Sequence, residues 1–224
     1  MIHDFFLNWY KTSYVVANIV GYELSFVELI GTISGLITVW LQTRSNIFAW
    51  PIGIIHTVAL FVLFYQINLY ADRFLQVYYF VMCIYGWVYW GKQKNSHQPK
   101  KNIGVLNAQQ RLKLLLLILA STVVMGFITQ KLHVWLPAIF TIPASYPYTD
   151  SLATTASIIG NWLLARRILE NWAVWVFVNV LSIGLYIAKD VRFIALQFVI
   201  YLVLAVYGHF KWKTELQTQT KLSR

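Results

Sequence analysis

Carboxamides and aromatic rings are the side chains here whose types and spacing best suit chemistry. Trp172, Trp175, Asn179, Ser182 and Tyr186 recur at three- and four-residue steps, which places them on one face of a helix. Five further rows have helical periodicity: Gln197, Tyr201 and Gly208; Asp72, Gln76 and Tyr79; Asn46, Trp50, Gly53, Thr57 and Phe64; Gly31, Ser34, Gly35, Thr38 and Gln42; Thr154, Ser157 and Asn161. A carboxamide both donates and accepts hydrogen bonds, and Trp and Tyr faces attract cations and stack on flat rings. Such a lining suits a small polar ligand with a stackable ring, or a cation. The competing view is structural. Gly, Ser and Thr at this spacing let helices pack closely, and Trp9, Trp87, Trp90, Trp135 and Trp212 suit an interfacial aromatic belt. Other chemistry lacks material. There is no Gly-rich phosphate loop, no HExxH and no pair of carboxylates in mid-segment. Glu28, Asp72, Arg73, Asp150 and Asp190 fall near segment ends, so an ion-coupled pump is poorly provided for. His56, alone in mid-segment, reads as hydrogen-bonded packing rather than a metal ligand or proton relay. Cys83 is the single cysteine, which excludes a disulfide and a Cys-based metal site. No catalytic residue, metal or cofactor is expected.

The elements that must position these rows follow from composition. The 224 residues are 58% hydrophobic and only 12% charged. A soluble domain of this length cannot bury so much apolar surface, and disordered chains are polar and charged. A bilayer is the natural solvent. Seven segments approach the roughly 20 apolar residues a spanning helix needs: Val27–Thr43, Ile47–Gln66, Leu69–Trp90, Leu112–Gln130, Ser151–Ala165, Trp172–Ala188 and Phe193–Phe210. Phe5–Val20 reads as an interfacial helix, with an eighth span as the alternative. The opening MIHDFFLNWYK lacks a signal-peptide pattern and is read as mature sequence. The net charge of +10 would suggest nucleic acid on a soluble protein; here it bears on orientation. The loop after the third span carries Lys92, Lys94, Lys100, Lys101, Arg111 and Lys113 without an acid, and is read as cytoplasmic. Alternation then puts 13 of the 18 basic residues inside, with a cytoplasmic C-terminus. The seventh span holds no Lys, which excludes a retinal Schiff base.

An internal repeat organises the spans. At an offset of 122 residues, Trp40, Trp50 and Trp90 fall on Trp162, Trp172 and Trp212, Tyr79 and Tyr85 on Tyr201 and Tyr207, and Arg44 on Arg166. Apolar coincidences between spans are common, but this set is not. The expected fold is all-α and integral to the membrane, with seven transmembrane helices as 3+1+3. An N-terminal interfacial segment (1–26) precedes a first triple-helix repeat (27–90). A basic cytoplasmic loop (91–111) and a connector helix (112–130) lead to a second triple-helix repeat (150–210) and a basic cytoplasmic tail (211–224). The connector restores parity, so the triplets are parallel repeats. Transporters built this way bind substrate near the midplane, between the repeats.

Trp50–Trp87 and Asn161–Asp190 resemble the PnuC family of nicotinamide riboside transporters. The marks are Trp50-Pro51 with Gly53, Leu69-Tyr70-Ala71-Asp72, Gln76, Tyr85-Gly86-Trp87, and Asn171-Trp172 with Trp175, Asn179 and Tyr186. The resemblance covers the repeat helices and is specific to the wider Pnu group of vitamin transporters. It implies a SWEET-like core, a bacterial inner-membrane location and a homotrimer. It also implies uptake of nicotinamide riboside by facilitated diffusion, with a cytoplasmic kinase downstream that traps the substrate by phosphorylation. Nicotinamide riboside has a cationic pyridinium ring, a carboxamide and a ribose, which fits the uncharged aromatic and carboxamide lining. The expected substrate-binding residues are Trp50, Gln76, Tyr79, Asn161, Trp172, Trp175, Asn179, Gln197 and Tyr201. Pro51, Gly53 and Asp72 are the expected gating positions. Thiamine or riboflavin, as in sister groups, is the alternative substrate. A membrane receptor or enzyme is the alternative outside transport. Nucleic acid is not an expected partner.

Overall fold

A computed structural model of the chain describes residues 10–19, 22–66, 70–92, 103–140, 142–188 and 192–222. Expectations for the first nine residues, most of the basic loop (93–102), Lys189 and Asp190 lie outside these. Among the described residues the structure has seven helices: α1 (Phe26–Thr43), α2 (Ala49–Gln66), α3 (Tyr70–Gly91), α4 (Ala108–Trp135), α5 (Pro147–Ala165), α6 (Asn171–Ala188) and α7 (Arg192–Leu222). Each coincides with one expected span. Five, α1, α2, α4, α6 and α7, are long and apolar enough to cross a bilayer. The other two, α3 and α5, are the helices diluted by polar groups: Asp72, Arg73, Gln76 and five tyrosines in one, Asp150, Asn161 and five Ser or Thr before it in the other. The seventh helix runs twelve residues beyond the expected end at Phe210, because the tail has no Gly or Pro to stop it.

The N-terminal expectation needs correction. Val15–Ile19 is a strand, β1, paired antiparallel with β2 (Tyr22–Ser25). Its β-branched Val15, Val16 and Ile19 favour an extended chain over the expected helix. The hairpin delivers Ser25 to the start of α1, where a capping box forms: Glu28 N donates to Ser25 Oγ, and Glu28 Oε2 accepts from Ser25 N at 2.8 Å. Tyr22 donates its hydroxyl to Glu28 Oε1 at 2.6 Å; burial and this carboxylate hold its phenol well above the ordinary value.

The chain divides into two compact units, 1–102 with 210–224, and 103–209. In the first, α1 packs on α2 and α2 on α3. The buried face of α1 (Gly31, Ser34, Gly35, Thr38, Leu41 and Gln42) is the small-polar stripe of the sequence, and Val27 closes on Ala59 and Leu63 of α2. His56 Nδ1 donates to Gly31 O at 2.7 Å, a packing role that needs no metal. Trp212, in the C-terminal half of α7, is fully buried and gives its indole N–H to Gln42 O at 3.1 Å. In the second unit α4 packs on α5 and α5 on α6. On α4 only Thr122 and Gly126 are buried. Thr122 shares a 2.9 Å hydroxyl contact with Thr155, and Tyr148 fills the space beside Gly126. Its long aliphatic remainder is exposed.

The turns α1–α2 and α5–α6 share one hydrogen-bond pattern. Asn46 N donates to Leu41 O and Ile168 N to Leu163 O; Trp50 N donates to Ile47 O and Trp172 N to Leu169 O; Ile52 N donates to Phe48 O and Val174 N to Glu170 O. Ser45 (φ 52°) and Arg167 (φ 57°) both take the left-handed conformation that reverses the chain. Arg44 lies over Trp40 and Arg166 over Trp162. Each correspondence repeats the offset of 122 found in the sequence.

Candidate functional site

Both turns end in a tryptophan seated on a glycine. Trp50 is 0% exposed and Trp172 1%. A Cβ on Gly86 of α3 would lie 2.5 Å from the Trp50 ring, and one on Gly208 of α7 would lie 2.7 Å from Trp172. Trp90 adds an edge to the Trp50 face at 5.2 Å. Both rings are therefore enclosed by protein in this conformation.

In the first unit α2 and α3 hold the remaining expected residues. Pro51 lies in the first turn of α2, where its missing N–H costs no helical hydrogen bond. Gly53 marks the tightest approach of three helices: a Cβ there would meet Cys83 Sγ at 2.9 Å and Thr38 Cγ2 at 3.4 Å. Gln76 is buried beside Thr57, lining a cavity of about 170 Å³ with Val58, Phe61, Val77 and Phe80. Tyr79 is half-buried, its ring 5.6 Å from that of Tyr78. Asp72 falls in the first turn of α3, and its side chain lies outside the described part.

In the second unit Asn161 on α5 and Asn179 and Ser182 on α6 are buried, and Trp175 and Tyr186 half-buried. Trp175 lies against Gly160, 3.5 Å from where its Cβ would be. On α7, Gln197 Nε2 donates to Tyr201 Oη at 3.1 Å, and Tyr201 sets its ring edge to Phe198, which stacks on Tyr186 at 5.4 Å. Gln197, Tyr201, Phe198 and Tyr186 are thus one polar-aromatic group.

Buried polar atoms are normally paired. Gln76 Oε1, Asn161 Oδ1 and Thr38 Oγ1 are buried without a partner. The first two belong to expected site residues. Thr38 was legible as part of the inward row of α1 but was not among the expected binding residues. A further feature had no sequence signal. Ile103 is buried, Gly104 exchanges backbone hydrogen bonds of 2.9 Å with Arg167 O and Leu169 N, and Glu170 Oε1 accepts from Leu106 N, Arg111 Nε and Arg111 Nη2 at 3.1, 3.0 and 2.8 Å. This strap ties the end of the basic loop to the α5–α6 turn. Among the described residues no cluster of His, Cys, Asp and Glu is placed to hold a metal.

Uncharged polar rows on helices, five of them long and apolar enough to cross a bilayer, define a polytopic, mainly helical membrane protein. The nicotinamide mononucleotide transporter family model matches residues 25–214, and the chain belongs to that family. It is 28% identical over 207 residues to the nicotinamide riboside transporter PnuC of Escherichia coli K12, covering 86% of this chain and 87% of the relative. It is 22% identical to the riboflavin/roseoflavin transporter RibM of Streptomyces davaonensis, covering 92% of each. Its fold is similar to the crystal structure of the vitamin B3 transporter PnuC, with a TM-score of 0.63 at 22% identity over 86% of this chain and 83% of that one.

Proposed function

We propose that this protein takes up nicotinamide riboside across a bacterial inner membrane by facilitated diffusion, with cytoplasmic phosphorylation by a kinase trapping the substrate. The observation that carries the ligand chemistry is the set of buried, uncharged acceptor oxygens without partners, Gln76 Oε1 and Asn161 Oδ1. Nicotinamide riboside is rich in the matching donors: a carboxamide N–H₂ and ribose hydroxyls. In the second unit Trp175 and Tyr201 hold the cationic ring, and Asn179 and Gln197 pair with the amide and hydroxyls; Tyr79 is the first unit's aromatic candidate. Trp50 and Trp172, enclosed against Gly86 and Gly208, position the helices that carry these groups. Pro51, Gly53 and Asp72 sit at the starts of α2 and α3 and serve gating. The two triplets, 27–90 and 150–210, are copies of one unit; the duplicated turn hydrogen bonds support this. The basic tail is cytoplasmic, and the exposed aliphatic α4 meets lipid and neighbouring copies in a homotrimer.

A second substrate is favoured by one observation, the similarity to a riboflavin transporter. Titration calorimetry of the purified protein separates the possibilities. Nicotinamide riboside binds, and excess thiamine or riboflavin does not displace it. Trp175→Ala and Asn179→Leu each weaken it by about tenfold or more, the loss of a buried hydrogen bond or ring contact. Unchanged affinity in both variants overturns the site assignment, and preferential riboflavin binding overturns the substrate.

A further inference from the structure

A second, larger hollow lies where the N-terminal segment meets the C-terminal end of α2, and it shares Phe61 with the cavity of Gln76. It has a volume of about 570 Å³ and is lined by Tyr10, Lys11, Ser13, Phe61, Val62, Tyr65 and Gln66. Gln66 builds it: its Oε1 accepts from Thr12 N at 2.9 Å and its Nε2 donates to Tyr10 O at 2.6 Å, so one carboxamide clamps the incoming backbone in both directions. The wall is aromatic and apolar, and its charge among the described residues is basic. Lys11 lines the hollow, and Arg73 of α3 lies over the ring of Tyr65, 5.2 Å from its centroid. Among the described residues no acidic side chain lines it.

Below this basic rim an apolar track runs down α2. Tyr65, Phe61, Val58 and Ile55 are all exposed and recur at three- and four-residue steps, so they form one ridge on the surface of a helix apolar enough to span a bilayer. A cationic rim at the end of a spanning helix, continued by an exposed apolar ridge, is complementary to a molecule with an anionic head and a long apolar chain. We propose that this groove binds an anionic phospholipid, its phosphate held by Lys11 and Arg73 and its acyl chain lying along Phe61, Val58 and Ile55. Basic pockets beside spanning helices select anionic headgroups on the same physical grounds, and the aromatic rings suit the depth at which headgroup meets chain. Phe61 and Val58 also line the cavity of Gln76, so the acyl chain passes beside one residue assigned to vitamin transport, while Lys11 and Arg73 have no part in that assignment.

The test is native mass spectrometry of the full chain in detergent, titrated with phosphatidylglycerol or with phosphatidylcholine. The wild type retains one phosphatidylglycerol at concentrations where phosphatidylcholine leaves none. Lys11→Gln and Arg73→Gln each lower retention about fivefold, and the double variant lowers it by the product. The charge-preserving pair Lys11→Arg and Arg73→Lys retains the lipid, and melting curves of all variants confirm folding. Millimolar inorganic phosphate does not displace the lipid, because the acyl chain contributes. Equal retention of the two lipids, no loss in the double glutamine variant, loss in the charge-preserving pair, or displacement by phosphate alone each overturns the proposal.

Discussion

Trp50 and Trp172 each close on a glycine that can be nothing larger. A Cβ at Gly86 or Gly208 would sit inside the van der Waals envelope of an indole that has no free space to move into. Gly86→Val or Gly208→Val therefore costs about 1–3 kcal/mol of stability or more, read as a lower melting temperature. Gly184 is the contrast: nothing lies within 4 Å of its Cβ position, so Gly184→Ala is neutral or raises stability by up to about 1 kcal/mol through helix propensity. Gln76 gives a sharper residue-scale test. Its buried Oε1 has no partner, so Gln76→Leu removes an uncompensated polar group and raises the melting temperature of the ligand-free protein. The same change lowers nicotinamide riboside affinity about tenfold if the oxygen serves the substrate. A destabilised variant with unchanged affinity would contradict the assignment.

At the scale of elements, the helices were legible and their attachments were not. A bilayer imposes both length and apolar content on a span, so the apolar segments of the sequence marked the place of all seven helices, to within a few residues at most ends, and five of them are long and apolar enough to cross a bilayer. The inward stripe of α1 was legible for the same reason, since its period decides which face is buried. The N-terminal hairpin was missed because Phe5, Phe6, Trp9 and Tyr10 suggested an interfacial helix, whereas pairing of Val15–Ile19 with Tyr22–Ser25 is decided by contacts across the hairpin. The strap was invisible because Arg111 and Glu170 lie 59 residues apart and belong to no periodic row. It makes its own prediction. Glu170→Ala leaves Leu106 N without its acceptor, which costs about 1–3 kcal/mol if that amide stays buried. Arg111→Ala costs less, about 1 kcal/mol at most, because its side chain is 57% exposed. Hydrogen exchange reads both: the amides of Gly104 and Leu106 exchange much faster in Glu170→Ala and little faster in Arg111→Ala. Equal protection of these amides in Glu170→Ala and wild type would show that the carboxylate does not hold the strap.

For the whole molecule, the internal offset of 122 residues proved the most informative sequence feature, because it reappears in turn hydrogen bonds, in left-handed residues and in the Trp–Gly seats. The positions of Gln76, Asn161, Asn179, Gln197 and Tyr201 on their helix faces could also be read in advance. Which of them meet a ligand could not, because a buried carboxamide serves a neighbouring helix as readily as a substrate. Orientation is a property of this scale too. With 13 of 18 basic residues assigned to one side, a reporter fused after Arg224 reads as cytoplasmic, and an external readout would reverse the topology. The central claim is downhill transport of a cationic vitamin by spans that carry no mid-helix carboxylate among the described side chains. The direct measurement is uptake of labelled nicotinamide riboside by liposomes containing the purified protein, with and without proton and sodium gradients. With the membrane potential clamped at zero by valinomycin and equal potassium on both sides, the account predicts saturable equilibration to the external concentration at the same rate under every condition. Accumulation above that concentration, or uptake only when a gradient is imposed, would contradict it.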